Sequence, residues 1–403
     1  MQYFNFIGAY KAKGKYKKTY RDAKQSYLNR IRWGVSMFYF GMGLCFSSWA
    51  SRIPTIKAAL NLSDGELGTI LFALPIGQLT MMFFSGKLVT RFGSERTLPF
   101  AILMYAFSLT NIGLAQNAWQ LALGLVSFGI FGNLTNISVN TQGVYTEGIF
   151  RRTIMSSFHG MWSLAGFTGA LVGLGMLALK ITTYMHFVIV AFVVVVLVAI
   201  NFKYLIKAKE KVRPAKKKIF SKPDKSLILL GVIGFCSMAS EGIMFDWSGV
   251  YFKDIVKAPG SLIVVGYTSF MIMMAGGRFF GGYLIDKFGR KTVMQISGVM
   301  ISSGLYIAVF LPYIIPCTLA FMIVGLGVST VIPTLYSIAG KHPTIPTGEA
   351  LTAVSSVSFL GFLMGPPVIG HISEQFGLQF SFAFIGMFGI LIAFLVKRVK
   401  AME

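Results

Sequence analysis

The sequence predicts an all-α membrane protein of twelve transmembrane helices in two pseudo-symmetric six-helix bundles, and three observations carry that expectation. Of the 403 residues, 55% are hydrophobic and 13% charged, with a mean hydropathy of +0.68, which leaves too little polar surface to cover a soluble globule. Apolar stretches of about twenty residues recur along the chain, each long enough to cross about 30 Å of hydrocarbon at about 1.5 Å per residue. One pattern also repeats at a constant interval: Phe83, Phe84, Gly86, Leu88, Phe92 and Gly93 are matched, 196 residues later, by Phe279, Phe280, Gly282, Leu284, Phe288 and Gly289.

The spans fall at about 33–53, 66–88, 97–115, 118–145, 153–179, 184–205, 227–252, 262–285, 292–312, 316–339, 349–372 and 377–397. These runs are too long and too evenly apolar for barrel strands, so helices are expected. The organisation follows: a basic tail (1–32), a six-helix bundle (33–205), a basic linker (206–226), a second six-helix bundle (227–398) and a short tail (399–403). No small-residue cleavage site precedes the first span, which is expected to act as its own uncleaved insertion signal. Cys45, Cys236 and Cys317 lie within spans without paired or metal-ligand spacing and read as small apolar packing residues; no cofactor or metal is expected.

The net charge of +23 invites a nucleic-acid partner, and its distribution argues against one. Of the 37 Lys and Arg, 31 fall in the two tails and the even-numbered loops, whereas only Arg52, Lys57, Lys180, Lys253 and Lys257 fall in the odd-numbered loops. That alternation is the positive-inside pattern, so both termini and the linker are expected in the cytoplasm of a multi-pass plasma-membrane protein. The basic runs Lys11 to Arg32 and Lys203 to Lys225 are expected to touch anionic lipid headgroups.

The stretch Gly282-Tyr283-Leu284-Ile285-Asp286-Lys287-Phe288-Gly289-Arg290-Lys291 resembles the signature loop of the major facilitator superfamily. Its first-half copy, Gly86 to Arg96, has the same frame with Thr90 where the Asp belongs. Arg278 resembles the family's helix-8 arginine. The stretches Ser48 to Pro54, Ser156 to Ser163, Glu241-Gly242 with Asp246-Trp247-Ser248, and Gly361 to Gly370 are together similar to the YbjJ-type branch of bacterial inner-membrane permeases. The resemblance implies the major facilitator fold and a monomeric inner-membrane carrier that alternates a central site between two faces. It implies almost nothing about the solute.

Ionisable groups inside a bilayer are costly unless they face a wet cavity or a partner, so the few present are the candidates for function. Glu241 lies about 20 Å along the seventh span and is expected either to carry protons and contact solute or to bond a neighbouring helix. On the fourth span Asn133, Asn136 and Asn140 share a face, a stripe that suits a hydroxyl-rich or zwitterionic solute and equally suits helix-to-helix bonding. On the fifth, His159, Trp162 and Ser163 share a face. An ordinary imidazole titrates near pH ~6.5, which makes His159 a second proton candidate, with a neutral structural histidine as the alternative. Trp162 offers a flat ring to a solute or to a packing neighbour.

Arg52 and Asp246 sit near the far ends of spans 1 and 7, where they are expected either to pair as an outer gate or to snorkel independently. Glu147 with Arg151 and Arg152 is placed for an inner latch between the halves. By resemblance, Arg278, Asp286 and Arg290 join the gating groups.

No nucleotide-binding loop and no nucleophile or metal-ligand cluster is legible, which argues against a pump and against an enzyme. The expected function is proton-coupled movement of a small polar solute, a sugar or related metabolite, by rocking of the two halves. Proton-driven efflux of amphipathic or drug-like compounds and a non-transporting solute sensor are the alternatives.

Overall fold

The computed structural model describes residues 14–62, 64–207, 224–259 and 262–399. Residues 1–13 of the expected tail, 208–223 of the expected linker and 400–403 of the C-terminal tail lie outside them.

Among the described residues the regular elements are helical. In chain order they are α1 (Gly14–Ala59), α2 (Asp64–Leu71), α3 (Ala73–Phe92), α4 (Ser94–Gly113), α5 (Ala118–Phe150), α6 (Met155–Ala178), α7 (Thr183–Asn201), α8 (Lys225–Asp254), α9 (Ile263–Phe288), α10 (Arg290–Phe310), α11 (Ile314–Ser329), α12 (Val331–Ala339), α13 (Thr347–Phe376) and α14 (Leu378–Val396). Nine helical stretches among the described residues are long and apolar enough to cross a membrane on that ground alone. The remaining crossings, α1, α4 and α9, take their places from the repeat.

Three local departures from the expected spans have physical reasons. The first helix begins at Gly14 and runs for 46 residues, about twice what the hydrocarbon needs, so its basic first half extends the helix past the membrane. The second span is α2 followed by α3, and the tenth is α11 followed by α12. In each a proline, Pro75 or Pro333, sits just after the break, where it cannot donate to the carbonyl four residues back, of Leu71 or Ser329. A few helix starts are capped by side chains: Asn117 accepts from the Gln120 amide at 2.9 Å, and Asp224 from the Ser226 amide at 2.8 Å.

The two halves pack alike. In the first, α1 lies against α6 and α7, α4 against α5 and α7, and α3 against α5; in the second, α8 lies against α13 and α14, α10 against α11 and α14, and α9 against α11. Each pairing is the counterpart of the other one repeat later. The glycines closing the repeated stretch match as well, Gly93 and Gly289 having φ of 84° and 80°, a left-handed turn that glycine adopts without Cβ strain. Large apolar side chains cover the outside, Phe83 being 72% and Trp119 81% exposed, as lipid contact requires.

Between the halves the packing gathers at one side. Helix α3 lies on α13, α6 on α9, and α12 on α5 and α6. These contacts involve the helix ends beside the even-numbered loops, the basic face. A Cβ at Gly86 would come within 2.7 Å of Thr352 Oγ1, and one at Gly282 would overlap the Thr153 carbonyl, so both repeat glycines sit in this seam. Among the described residues α1 and α8 do not pack closely on one another across the halves. The protein is therefore closed at its basic face.

Gly282→Ala is expected to force this seam apart. Overpacking of a tight contact costs about 1–3 kcal/mol, enough to raise exposure of the seam roughly fivefold or more. A cysteine replacing Thr352 reads this against a quiet background, because Cys45, Cys236 and Cys317 are buried. Unchanged labelling in Gly282→Ala would show that the seam does not hold the closed state.

Candidate functional site

The middle of the molecule holds a connected polar group built from both halves. Glu241, on α8, and Arg278, on α9, are 6% and 5% exposed and form an ion pair, Arg278 Nη2 to Glu241 Oε1 at 3.1 Å. Arg278 Nη1 donates to Ser163 Oγ of α6 at 2.7 Å, and the Arg278 carbonyl accepts from Ser156 Oγ at 2.6 Å. One arginine thus joins the scarce buried acid of the second half to a serine of the first. Two buried charges are stable only when paired and bonded, and removing one partner typically costs about 3–5 kcal/mol.

Next to this pair stands a layer of amides and rings. Asn140 Nδ2 donates to the Asn136 carbonyl at 2.8 Å and to Asn136 Oδ1 at 2.6 Å, which fixes the orientation of its amide. Asn140 Oδ1 then accepts from Tyr39 OH at 2.9 Å and faces His159 Nε2 at 3.1 Å, so a neutral His159 carries its proton on Nε2. From the second half Tyr336 brings its ring to 6.0 Å from His159, with its hydroxyl beside Asn136 and Ser355. Asn136 and His159 are only half-buried, so the layer is reachable.

Two members of the expected site lie elsewhere. Asn133 accepts from Ser85 Oγ at 2.5 Å and so ties α5 to α3, although it shares a helical face with the other asparagines. Trp162 is half-buried against Phe46, the rings 6.2 Å apart.

At the basic face Glu147 bonds across the halves, to residues other than the expected Arg151 and Arg152. Glu147 is buried and accepts from the Ile154 and Met155 amides at 3.1 and 3.0 Å, at the start of α6. Across the seam it accepts from Ser337 Oγ and from Lys341 Nζ at 2.7 Å. Arg151 is exposed and closes α5 in a left-handed conformation at φ 52°. Asp286 Oδ1 accepts from the Thr153 amide at 3.2 Å, a second tie between the halves. Its counterpart Thr90 leaves a buried hydroxyl without a partner, the consequence of the missing first-half Asp. Arg290 starts α10, half-buried. Arg278, grouped with these loop residues by resemblance, instead lies about 12 Å deeper along α9 than Asp286.

The expected Arg52–Asp246 ion pair is not formed among the described residues. Arg52, 1% exposed, donates from Nε to His186 Nδ1 at 3.0 Å and from Nη2 to the Ile181 carbonyl at 2.9 Å, while Asp246 is exposed. Arg52 is thus held within its own half. Lys341, Tyr39, Tyr336 and His186 were not singled out by sequence; each is an ordinary residue in its own segment, marked only by a partner far along the chain.

Repeated six-helix halves meeting around a shared polar centre define a membrane transporter. The sequence profile of the Major Facilitator Superfamily matches residues 35–344 and again 230–401, and the chain belongs to that family. It is 28% identical to an uncharacterized transporter of Sinorhizobium fredii, over 91% of this chain and 97% of that one. It is also 28% identical to the membrane protein MosC of Rhizobium meliloti, over 89% and 88% of the two chains. Among solved structures it resembles the E. coli fucose:proton symporter FucP, with a TM-score of 0.76, 13% identity and coverage of 93% and 99%. The proton:xylose symporter XylE gives a TM-score of 0.73 at 15% identity, with coverage of 93% and 96%.

Proposed function

We propose that this protein is a secondary active transporter that moves a small polar solute, a sugar or related metabolite, by alternating access and is driven by protons. The observation that carries the reading is Arg278, bound at once to Glu241 and, across the halves, to Ser163. Proton uptake on Glu241 would remove its charge, loosen Arg278 and so weaken the tie to the first half. Asn136, Asn140 and His159 supply the donors and acceptors that a hydroxyl-rich solute needs, and the sugar:proton symporters among the structural neighbours support that class. The positive-inside pattern supports a bacterial inner membrane with cytoplasmic termini, and the quoted stretches support a place in the YbjJ-type branch. The state described is then closed to the cytoplasm.

Proteoliposomes test this reading. Solute should accumulate against its gradient when a proton gradient is imposed and should equilibrate when it is dissipated. Binding without flux would make the protein a sensor, and accumulation indifferent to the proton gradient would remove the coupling.

In the opposite state the far ends of α1 and α8 approach, and Arg52 exchanges its His186 and Ile181 partners for Asp246. Arg52→Asp and Asp246→Arg are each expected to reduce transport at least about tenfold, since like charges then face one another in a closing gate. The double exchange should restore a substantial fraction. No rescue would leave Arg52 as a structural clasp of its own half.

A further inference from the structure

Two cavities of about 400 Å³ each adjoin one another at the basic ends of α1, α5 and α6. Gln25, Asn29, Arg32 and Arg152 give the first its polar lining. Trp33, Met161 and Phe279 give the second its apolar one, and Asn29 and Arg32 border both. Neither lining contains an acid. Among the described residues Arg32 and Arg152 have no carboxylate partner; Arg32 spends one of its five donors on Ser157 Oγ, at 3.3 Å.

We propose that this double cavity binds one anionic phospholipid from the leaflet at the basic face, its phosphate between Arg32 and Arg152 and an acyl chain along Trp33, Met161 and Phe279. The charge fits an anion, and the absence of any lining acid leaves nothing to hold the ammonium of a zwitterionic headgroup. A free phosphate would have no use for the apolar chamber, whereas a lipid fills both. The position fits as well. Trp33 is 61% exposed at the start of the first span, where amphipathic rings meet the headgroups, and Phe279 is 44% exposed beside it. Because Phe279 belongs to α9 and a Cβ at Gly160 of α6 would touch its ring at 3.0 Å, the occupant touches both halves at their seam. Bound lipid therefore favours the state closed at the basic face. A specific site of this kind goes beyond the general attraction of a basic surface for an anionic leaflet.

Brominated acyl chains quench tryptophan on contact; a Trp119→Phe background removes the other strongly exposed ring, 81% exposed on the lipid-facing outside, and leaves Trp33 as the reporter. The full-length protein in detergent should be quenched by brominated phosphatidylglycerol at concentrations about 25-fold below those needed with brominated phosphatidylcholine, each arginine contributing about fivefold. The preference should disappear in the double variant Arg32→Gln, Arg152→Gln, fall about fivefold in Arg152→Gln alone, and lose its signal in Trp33→Phe. Arg152 is exposed in a loop, so that single variant keeps the test alive should the double variant fold poorly. Equal quenching by the two lipids, an unchanged preference in Arg152→Gln, or displacement by millimolar inorganic phosphate would each overturn the proposal.

Discussion

Glu241→Gln is expected to abolish uphill accumulation of solute while leaving solute exchange across the membrane within about threefold of the parent protein. The glutamine oxygen still accepts from Arg278, 3.1 Å away in the parent, so the shape of the centre survives. What disappears is a negative charge that a proton can cancel. Arg278 then stays permanently in the weakly held condition that proton uptake would produce in turn, and the halves rock without reporting the gradient. Arg278→Ala should separate this from simple damage. It leaves a carboxylate buried without its cation, and such a group neutralises rather than remain charged. Coupling should fail there too, now with Ser163 released and exchange lost as well; thermal stability falls in both variants, since each removes one charge of a buried pair, worth about 3–5 kcal/mol. A Glu241→Gln protein that accumulates solute normally would remove the carboxylate from the coupling step.

How far this was legible in sequence differs between fold and site. Hydropathy and the 196-residue repeat predict the crossings and the two halves, because apolar length and charge in loops are local properties that lipid reads directly. The breaks in spans 2 and 10 were not legible, since a proline alone does not locate them: Pro99 is accommodated inside α4. At the site, Glu241, His159, Asn140 and Arg278 stand out because polar groups are rare in apolar spans. Their partners do not. Arg278 meets Ser163 across 115 residues, and Glu147 meets Lys341 across 194, separations set only by how the halves close. Arg52 likewise meets His186 across 134 residues instead of the expected Asp246, a separation set only by the packing of its own half.

The latch at the basic face should show that its two charged members are not equivalent. Lys341 is 38% exposed in its side chain and lies at the rim, whereas Glu147 is 1% exposed and is held by three donors besides the lysine, Ser337 Oγ and the Ile154 and Met155 amides. Lys341→Ala leaves Glu147 with Ser337 and the two amides at the start of α6, so the fold keeps its stability and only the tie between the halves weakens. Charge-assisted hydrogen bonds are worth about 1.5–3 kcal/mol, so labelling of a cysteine at Thr352 should rise about tenfold or more. Glu147→Ala removes the tie and also strips α6 of its first-turn acceptor, a loss worth about 0.5–2 kcal/mol by itself. It should raise labelling at least as far and, unlike Lys341→Ala, lower the melting temperature. The double variant should label no faster than Glu147→Ala alone, because the lysine acts through the carboxylate. Additive effects of the two substitutions, or equal losses of stability, would mean that Lys341 is held at the seam by something other than Glu147.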